Sequence, residues 1–283
     1  LPKLKLVVDK KTGAFTYLDA KNQVLLRERK NESKCLEEFN TYVLAENAKV
    51  EKEIIQTADG AKEVIKAAER MEADRLYHTW LHLDLDEKEA LYGLGQQEEG
   101  ILNLRGQTVY VHQANRKIAL PFLVSSKHYG ILMDSYSPLI WNDTCYGTYL
   151  YTQADWELDY YFVAGATMHE LIAHYRLLTG KASMLPKWAY GYIQSQERYE
   201  TQNEILEVAK AYTEKNLGLD GIVLDWCSWP DGLWGQKEFD KSRFENPKQM
   251  MDELHEMQVH FMISIWPNMS ENCSNYQAFL EAN

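Results

Sequence analysis

"GIVLDWCSWPDGLWGQKEFD" occupies Gly221–Asp240. Gly-Ile-Val-Leu is too short for a helix and too apolar for a surface strand, so it reads as a strand buried on both faces. It ends on a carboxylate, Asp225, and runs into a loop holding Trp226, Trp229 and Trp234. The flanks decide the fold class. On the N-terminal side, "WAYGYIQS" reads as a strand and "YETQNEILEVAKAYTEKNLG" as a helix. That helix is opened by a capping box, Thr201 with Glu204 three residues on, and carries an apolar stripe of Ile205, Val208 or Ala209, and Tyr212. On the C-terminal side, "NPKQMMDELHEMQ" is a helix with Pro247 in its first turn, "HFMISIWP" is a third strand, and "NYQAFLEAN" begins another helix. The order β-α-β-α-β with apolar parallel strands opens either a (β/α) barrel or a doubly wound sheet.

Everything before about Met184 follows a different pattern. "LKLVVDKKTGAFTYLDAKNQVLLRE", "RLYHTWLHLDLD", "TVYVHQANRKIALPFLVSSKHYGILMDS" and "WELDYYFVAG" give short alternating runs punctuated by Gly, Pro and Asn turns. Such spacing predicts an antiparallel sandwich. "GAKEVIKAAERM" suits a helix by propensity and a charged hairpin arm equally well. "TMHELIAHYRLLTG" is the exception: Leu171, Ile172, Tyr175 and Leu178 form a helical stripe, and Gly180 ends it. The expected organisation is therefore multi-domain β plus α/β. Residues 1–184 form an antiparallel β-sandwich with a connector helix near 167–179, and residues 185–283 form the beginning of a (β/α)8 TIM barrel. A complete barrel needs about 250 residues, so the second region is expected to be incomplete.

Composition narrows the function. The net charge is −12 without any basic stripe, which argues against a nucleic-acid partner. No apolar run is long enough for a membrane-spanning helix. The four cysteines, Cys35, Cys145, Cys227 and Cys273, fit neither a CxxC pattern nor a disulfide framework and read as free thiols. No His/Cys spacing suits a metal, and no glycine loop between a strand and a helix suits a nucleotide. No metal and no cofactor are expected. The chain opens on Leu1 without a leader pattern, so the start reads as trimmed and the compartment stays open. A homo-oligomer also stays open.

In a parallel α/β barrel, side chains at the C-terminal strand ends point into the ligand-binding mouth. The readable strand ends give Gln194, Ser195, Arg198 and Tyr199; then Asp225, Trp226 and Cys227; then Trp266, Pro267 and Asn268. Carboxylate, indole, phenol, guanidinium and amide suit a sugar. Hydroxyls take charge-assisted hydrogen bonds, and the C–H face of a pyranose takes an aromatic platform. The plainer reading stands beside it. An Asp can cap a turn, a Trp is often a large core residue, and Cys227 lacks a His or Lys neighbour that would make it a thiolate.

The run Leu185–Pro267, "LPKWAYGYIQSQERYETQNEILEV…LDGIVLDWCSWPDGLWGQKEFD…HFMISIWP", resembles the start of the catalytic barrel of glycoside hydrolase family 31. "ALYGLGQQEEGILNLRG" and "NRKIALPFLVSSKHYGILMDS" resemble that family's N-terminal β-sandwich. The wording "LDWCSW" with "ISIWP" is similar to α-xylosidase members. The resemblance implies a retaining α-glycosidase acting on an oligosaccharide, with terminal α-linked xylose favoured slightly over glucose. An α-glucan lyase, or a carbohydrate-binding protein with a degenerate barrel, is the alternative. It further implies that Asp225 binds sugar hydroxyls at subsite −1 and that Trp266 is an aromatic wall there. Tyr199 is implied as a second aromatic position, and the loop at Asn115–Arg116 as one that reaches the barrel mouth. Trp226 and Cys227 stand next to Asp225 in the sequence and are expected to crowd the C6 position, which favours xylose. The family's nucleophile and acid/base aspartates belong to later barrel strands, and their motifs do not occur here. No catalytic residue is expected within these 283 residues.

Overall fold

The computed structural model describes residues 4–57 and 60–282. It divides into two compact units, Leu1–Lys181 and Ala182–Asn283. The fold is an antiparallel β-sandwich unit followed by the opening β-α-β-α-β of a TIM barrel.

The first unit contains β1 (Leu4–Val8), β2 (Phe15–Asp19), β3 (Val24–Glu28), β4 (Lys34–Leu44), β5 (Val50–Thr57), β6 (Gly60–Ala68) and β7 (Arg70–Asp84). After these come β8 (Leu91–Gln96), β9 (Thr108–Val111), β10 (Ile118–Ser125), β11 (Tyr129–Met133), β12 (Leu139–Thr144), β13 (Gly147–Asp155), β14 (Tyr160–Ala164) and α1 (Met168–Thr179). One sheet has the order β1-β2-β3-β7-β13-β12-β9, with β4 also paired to β7; the other has the order β14-β11-β10-β8. Period-two alternation explains which side chains meet between them. In β7, Thr79, Leu81 and Leu83 are buried, while Trp80 and His82 point the other way. Leu81, Trp141 and Leu150 from the larger sheet join Leu91, Leu123 and Ile131 from the smaller one in a single core. Trp141 has no exposed surface, and its indole N–H donates to the Leu104 carbonyl at 3.0 Å.

The outer face of the smaller sheet carries Phe122, Val124 and Val163, which Leu171 of α1 covers. Tyr175 stacks on Phe122 with ring centroids 4.1 Å apart. Thr167 caps α1 by accepting from the Glu170 amide at 3.2 Å. The predicted four-residue stripe is only half used. Leu171 and Tyr175 pack, whereas Ile172 and Leu178 are exposed. The reason is position: α1 lies over β14 and β11 at one edge of the sheet, which offers less apolar width than the stripe.

"GAKEVIKAAERM" resolves as strand, not helix. β6 pairs antiparallel with β5 in a two-stranded ribbon, and Lys66 and Glu51 face each other across it at 3.0 Å. Cross-strand pairing overrides the helical propensity of Lys, Glu and Ala. All four cysteines are free thiols.

The second unit contains β15 (Ile193–Glu197), α2 (Gln202–Glu214), β16 (Gly221–Asp225), α3 (Pro247–Glu256), β17 (His260–Ile263) and α4 (Tyr276–Glu281). Its sheet is parallel with β16 in the centre. Both long helices start as the sequence specifies. The Thr201 hydroxyl accepts from the Glu204 amide at 3.2 Å, and the Glu204 carboxylate accepts from the Glu200 amide at 2.7 Å. Asn246 accepts from the Gln249 amide at 3.1 Å, with Pro247 in the first turn. Ile222 and Leu224 of β16 meet Ile205 and Ala209 of α2 and Met250 and Leu254 of α3; all are fully buried.

Candidate active site

Alternation along β16 places the site. Ile222 and Leu224 face the helices and have no exposed surface, so Val223 and Asp225 face the opposite side, where both are half-buried. That side is the barrel-interior face, and Asp225 stands at its C-terminal rim. Among the described residues, its carboxylate makes neither a hydrogen bond nor an ion pair. A half-buried, unpaired carboxylate retains its full demand for donors, which a ligand's hydroxyls can meet.

The register sets Glu197, the last residue of β15, beside Asp225. Glu197 was not singled out from sequence. Counting by twos from Ile193 through Ser195 would have found it.

Directly after the strand, Trp226 and Cys227 both take positive φ, 60° and 48°. Two consecutive non-glycine residues in the left-handed region cost roughly 1–3 kcal/mol each, a strain that clusters at functional sites. The turn buries the Trp226 indole N–H, which has no hydrogen-bond partner among the described residues. The Arg198 guanidinium lies 5.5 Å from the centre of the same ring, within cation–π range. Burial pushes the Cys227 thiol up, against the opposing pull of Arg198 and Arg243.

Arg243, which sequence reasoning missed, anchors this turn from below. Its guanidinium donates to the carbonyls of Cys227 at 2.7 Å, Trp229 at 2.8 Å and Glu200 at 3.2 Å, and to the Asp240 carboxylate at 2.9 Å. Arg243 first, then the Ser242 hydroxyl and amide, push the Asp240 carboxyl down to about 2.

The four indoles form one edge-to-face array. Trp226 and Trp229 each meet Trp234, at 6.2 and 6.1 Å, and Trp266 meets Trp234 at 5.1 Å and Trp229 at 6.4 Å. Trp229 is core, 4% exposed; Trp266 is half-buried in the loop that follows β17. A cavity of about 180 Å³ opens here, walled by Trp266, Trp229, Lys237, Phe239 and Ser264 among others. Asp225, Trp226 and Cys227 lie outside its lining.

Tyr199 is placed differently from an open wall. It is fully buried among Ile205, Phe244 and their neighbours. Burial raises its phenol pKa. Two residues on, Thr201 caps α2, so the turn carries Tyr199 under the strand end instead of over the mouth. Arg116, in the other unit, pairs with Glu98 at 3.1 Å. Among the described residues, no group of His, Cys, Asp and Glu side chains has the arrangement of a metal site.

Residues 182–283 match the TIM-barrel domain of glycosyl hydrolases family 31. An α-xylosidase of Saccharolobus solfataricus is 40% identical over 69% of this chain, α-xylosidase A of Aspergillus niger 31% over 69%, and α-glucosidase 2 of Bacillus thermoamyloliquefaciens 30% over 66%. The matched stretch spans 28%, 26% and 25% of those three proteins. Among solved structures, a family 31 α-xylosidase from Xanthomonas citri superposes over 99% of this chain and 44% of its own, with TM-score 0.79 at 21% identity, a likeness of fold. A family 31 α-xylosidase from a soil metagenome, solved with xylose, covers 99% of this chain and 39% of its own, with TM-score 0.77 at 26% identity. On the match of residues 182–283 to that domain and the 40% identity over 204 residues, the chain belongs, as a part, to glycoside hydrolase family 31.

Proposed function

We propose that this chain is the substrate-holding part of a retaining α-glycosidase that removes terminal α-linked xylose, or secondarily glucose, from the non-reducing end of oligosaccharides. The observation that carries this reading is the Asp225 carboxylate, unpaired at the C-terminal end of the central parallel strand and on the face away from the helices. In this reading Asp225 accepts hydrogen bonds from sugar hydroxyls, and Trp266 lies along the C–H face of the ring. Trp226 and Cys227 fill the space next to C5, while Tyr199 supports the floor from the core. Asp225 is not the nucleophile. Retention requires two carboxyls about 5–5.5 Å apart across the scissile bond, and in this reading both come from other barrel strands.

The test is turnover of aryl α-xyloside and aryl α-glucoside. The complete protein should hydrolyse the xyloside faster and release the sugar with retained configuration, whereas residues 1–283 alone should turn over neither. No turnover by the complete protein, or clear turnover by the 283 residues, refutes the proposal. An unsaturated sugar product would identify a lyase instead.

Sugar preference rests on crowding. Glucose differs from xylose by the C6 hydroxymethyl group, and a rigid indole held in a strained turn under Arg198 leaves little room for it. Trp226→Ala in the complete enzyme should raise the glucoside-to-xyloside ratio of kcat/KM by about tenfold, the lower end of what one methylene in an apolar pocket supplies. An unchanged ratio would remove Trp226 from the specificity argument.

A further inference from the structure

The loops that follow β16 and β17 are tied together far more closely than chain connectivity requires. The Ser270 amide donates to the Trp234 carbonyl at 2.9 Å, and Asn272 donates to the Gly232 carbonyl at 3.1 Å. The Gln236 side chain bonds the Ser274 hydroxyl and accepts from the Ser274 amide at 3.0 Å. Gly235, at φ 75°, lies so close to the neighbouring loop that a Cβ there would meet the Asn268 carbonyl oxygen at 2.1 Å. These contacts hold the two loops against each other, but none of them touches Trp266.

Lys237 does. Its ammonium donates to the carbonyl of Trp266 and to that of Asn268, the latter at 3.3 Å. It is half-buried in the cavity wall and, among the described residues, forms no ion pair with any carboxylate. A partly desolvated ammonium held only by neutral carbonyls is a costly cross-link where cheaper ones already exist. What it adds is control of one peptide. Holding the Trp266 carbonyl fixes the backbone from which the indole projects, while Trp234 and Trp229 brace the ring itself. We propose that Lys237 is a positioning residue for the sugar subsite, acting through Trp266. The inference rests on the reading of Trp266 as a sugar wall given above.

An indole platform contacts the sugar in the ground state and in the transition state alike, so its displacement weakens binding more than turnover. Lys237→Met keeps the apolar stem and removes the donor. In the complete enzyme it should raise KM for an aryl α-xyloside about tenfold with kcat within threefold of wild type, and Lys237→Arg should restore KM to within threefold. In a Trp266→Ala background, Lys237→Met should change KM by less than twofold, because the ring it positions is gone. If Lys237→Met raises KM by the same factor with and without Trp266, its role is general support and the proposal falls. It falls equally if Lys237→Met leaves KM unchanged while Trp266→Ala raises it. Trp266→Ala without any effect on KM overturns the sugar-wall reading itself, a separate failure. Should Lys237→Met not fold, Lys237→Gln, which keeps a donor but loses reach, goes through the same cycle with the same outcomes.

Discussion

Replacing Asp225 with Ala in the complete enzyme should lower kcat/KM on an aryl α-xyloside by about two to four orders of magnitude. A carboxylate hydrogen bond to a neutral donor is worth about 1.5–3 kcal/mol, and a carboxylate can serve two adjacent hydroxyls, giving about 3–6 kcal/mol. At 1.36 kcal/mol per decade, that is the stated range. Folding should hardly change. Among the described residues the Asp225 side chain makes no hydrogen bond or ion pair, so the midpoint of denaturation should move by no more than an ordinary surface substitution, within about 0.5 kcal/mol. Asp225→Asn keeps the shape and loses the charge, and should fall between Ala and wild type. A loss below tenfold for Asp225→Ala would sink the assignment. A large activity loss accompanied by a large stability loss would mean that Asp225 is structural.

The largest stability effect belongs to the other unit. Trp141→Ala should destabilise the sandwich by about 3–5 kcal/mol, the usual range for truncating a fully buried large aromatic. Trp141 has no exposed surface, sits in the core between the two sheets, and donates its indole N–H to the Leu104 carbonyl. Truncation opens a cavity and leaves that carbonyl unsatisfied as well. Trp141→Phe separates the two losses, since it keeps most of the ring and should cost about 1–3 kcal/mol for the orphaned carbonyl. Because the chain has two units, hydrogen exchange at the amides of β12 and β13 is a cleaner measure than a global melt. Protection there should fall while the amides of β16 keep theirs. A loss under 1 kcal/mol for Trp141→Ala would mean that the core collapses around the gap.

Much of the architecture was legible because its determinants are local. The N-cap Thr201 and the first-turn Pro247 act within four residues of themselves, and the structure starts α2 and α3 where they stand. The alternation of "RLYHTWLHLDLD" appears as the buried Thr79, Leu81 and Leu83. "GAKEVIKAAERM" was ambiguous for the same reason. Its local preference is helical, and only the partner strand Val50–Thr57, reached through a turn, decides for β. The α1 stripe misled in the opposite direction: the periodicity was there, but the width of the sheet beneath it was not written in the helix.

The site divides along the same line. Asp225 at a strand end and tryptophans in the following loop follow from order along the chain, and so does the family resemblance. Tyr199 lies two residues past the end of β15, and the turn into α2 buries it. Glu197 stands beside Asp225 only because the parallel register pairs them.

The sequence by itself determined the β-α-β-α-β order of the second unit, the start of α2 and the carboxylate that closes the central strand, since each depends on residues a few positions apart. Only the tertiary structure decided which side chains gather around that carboxylate. Arg243 reaches Glu200 across 43 residues, and Lys237 reaches Trp266 across 29. Contacts at such separations exist once strands have paired and loops have met. No periodicity announces them, because the entropy of closing those loops is offset by the folded core and not by any local preference.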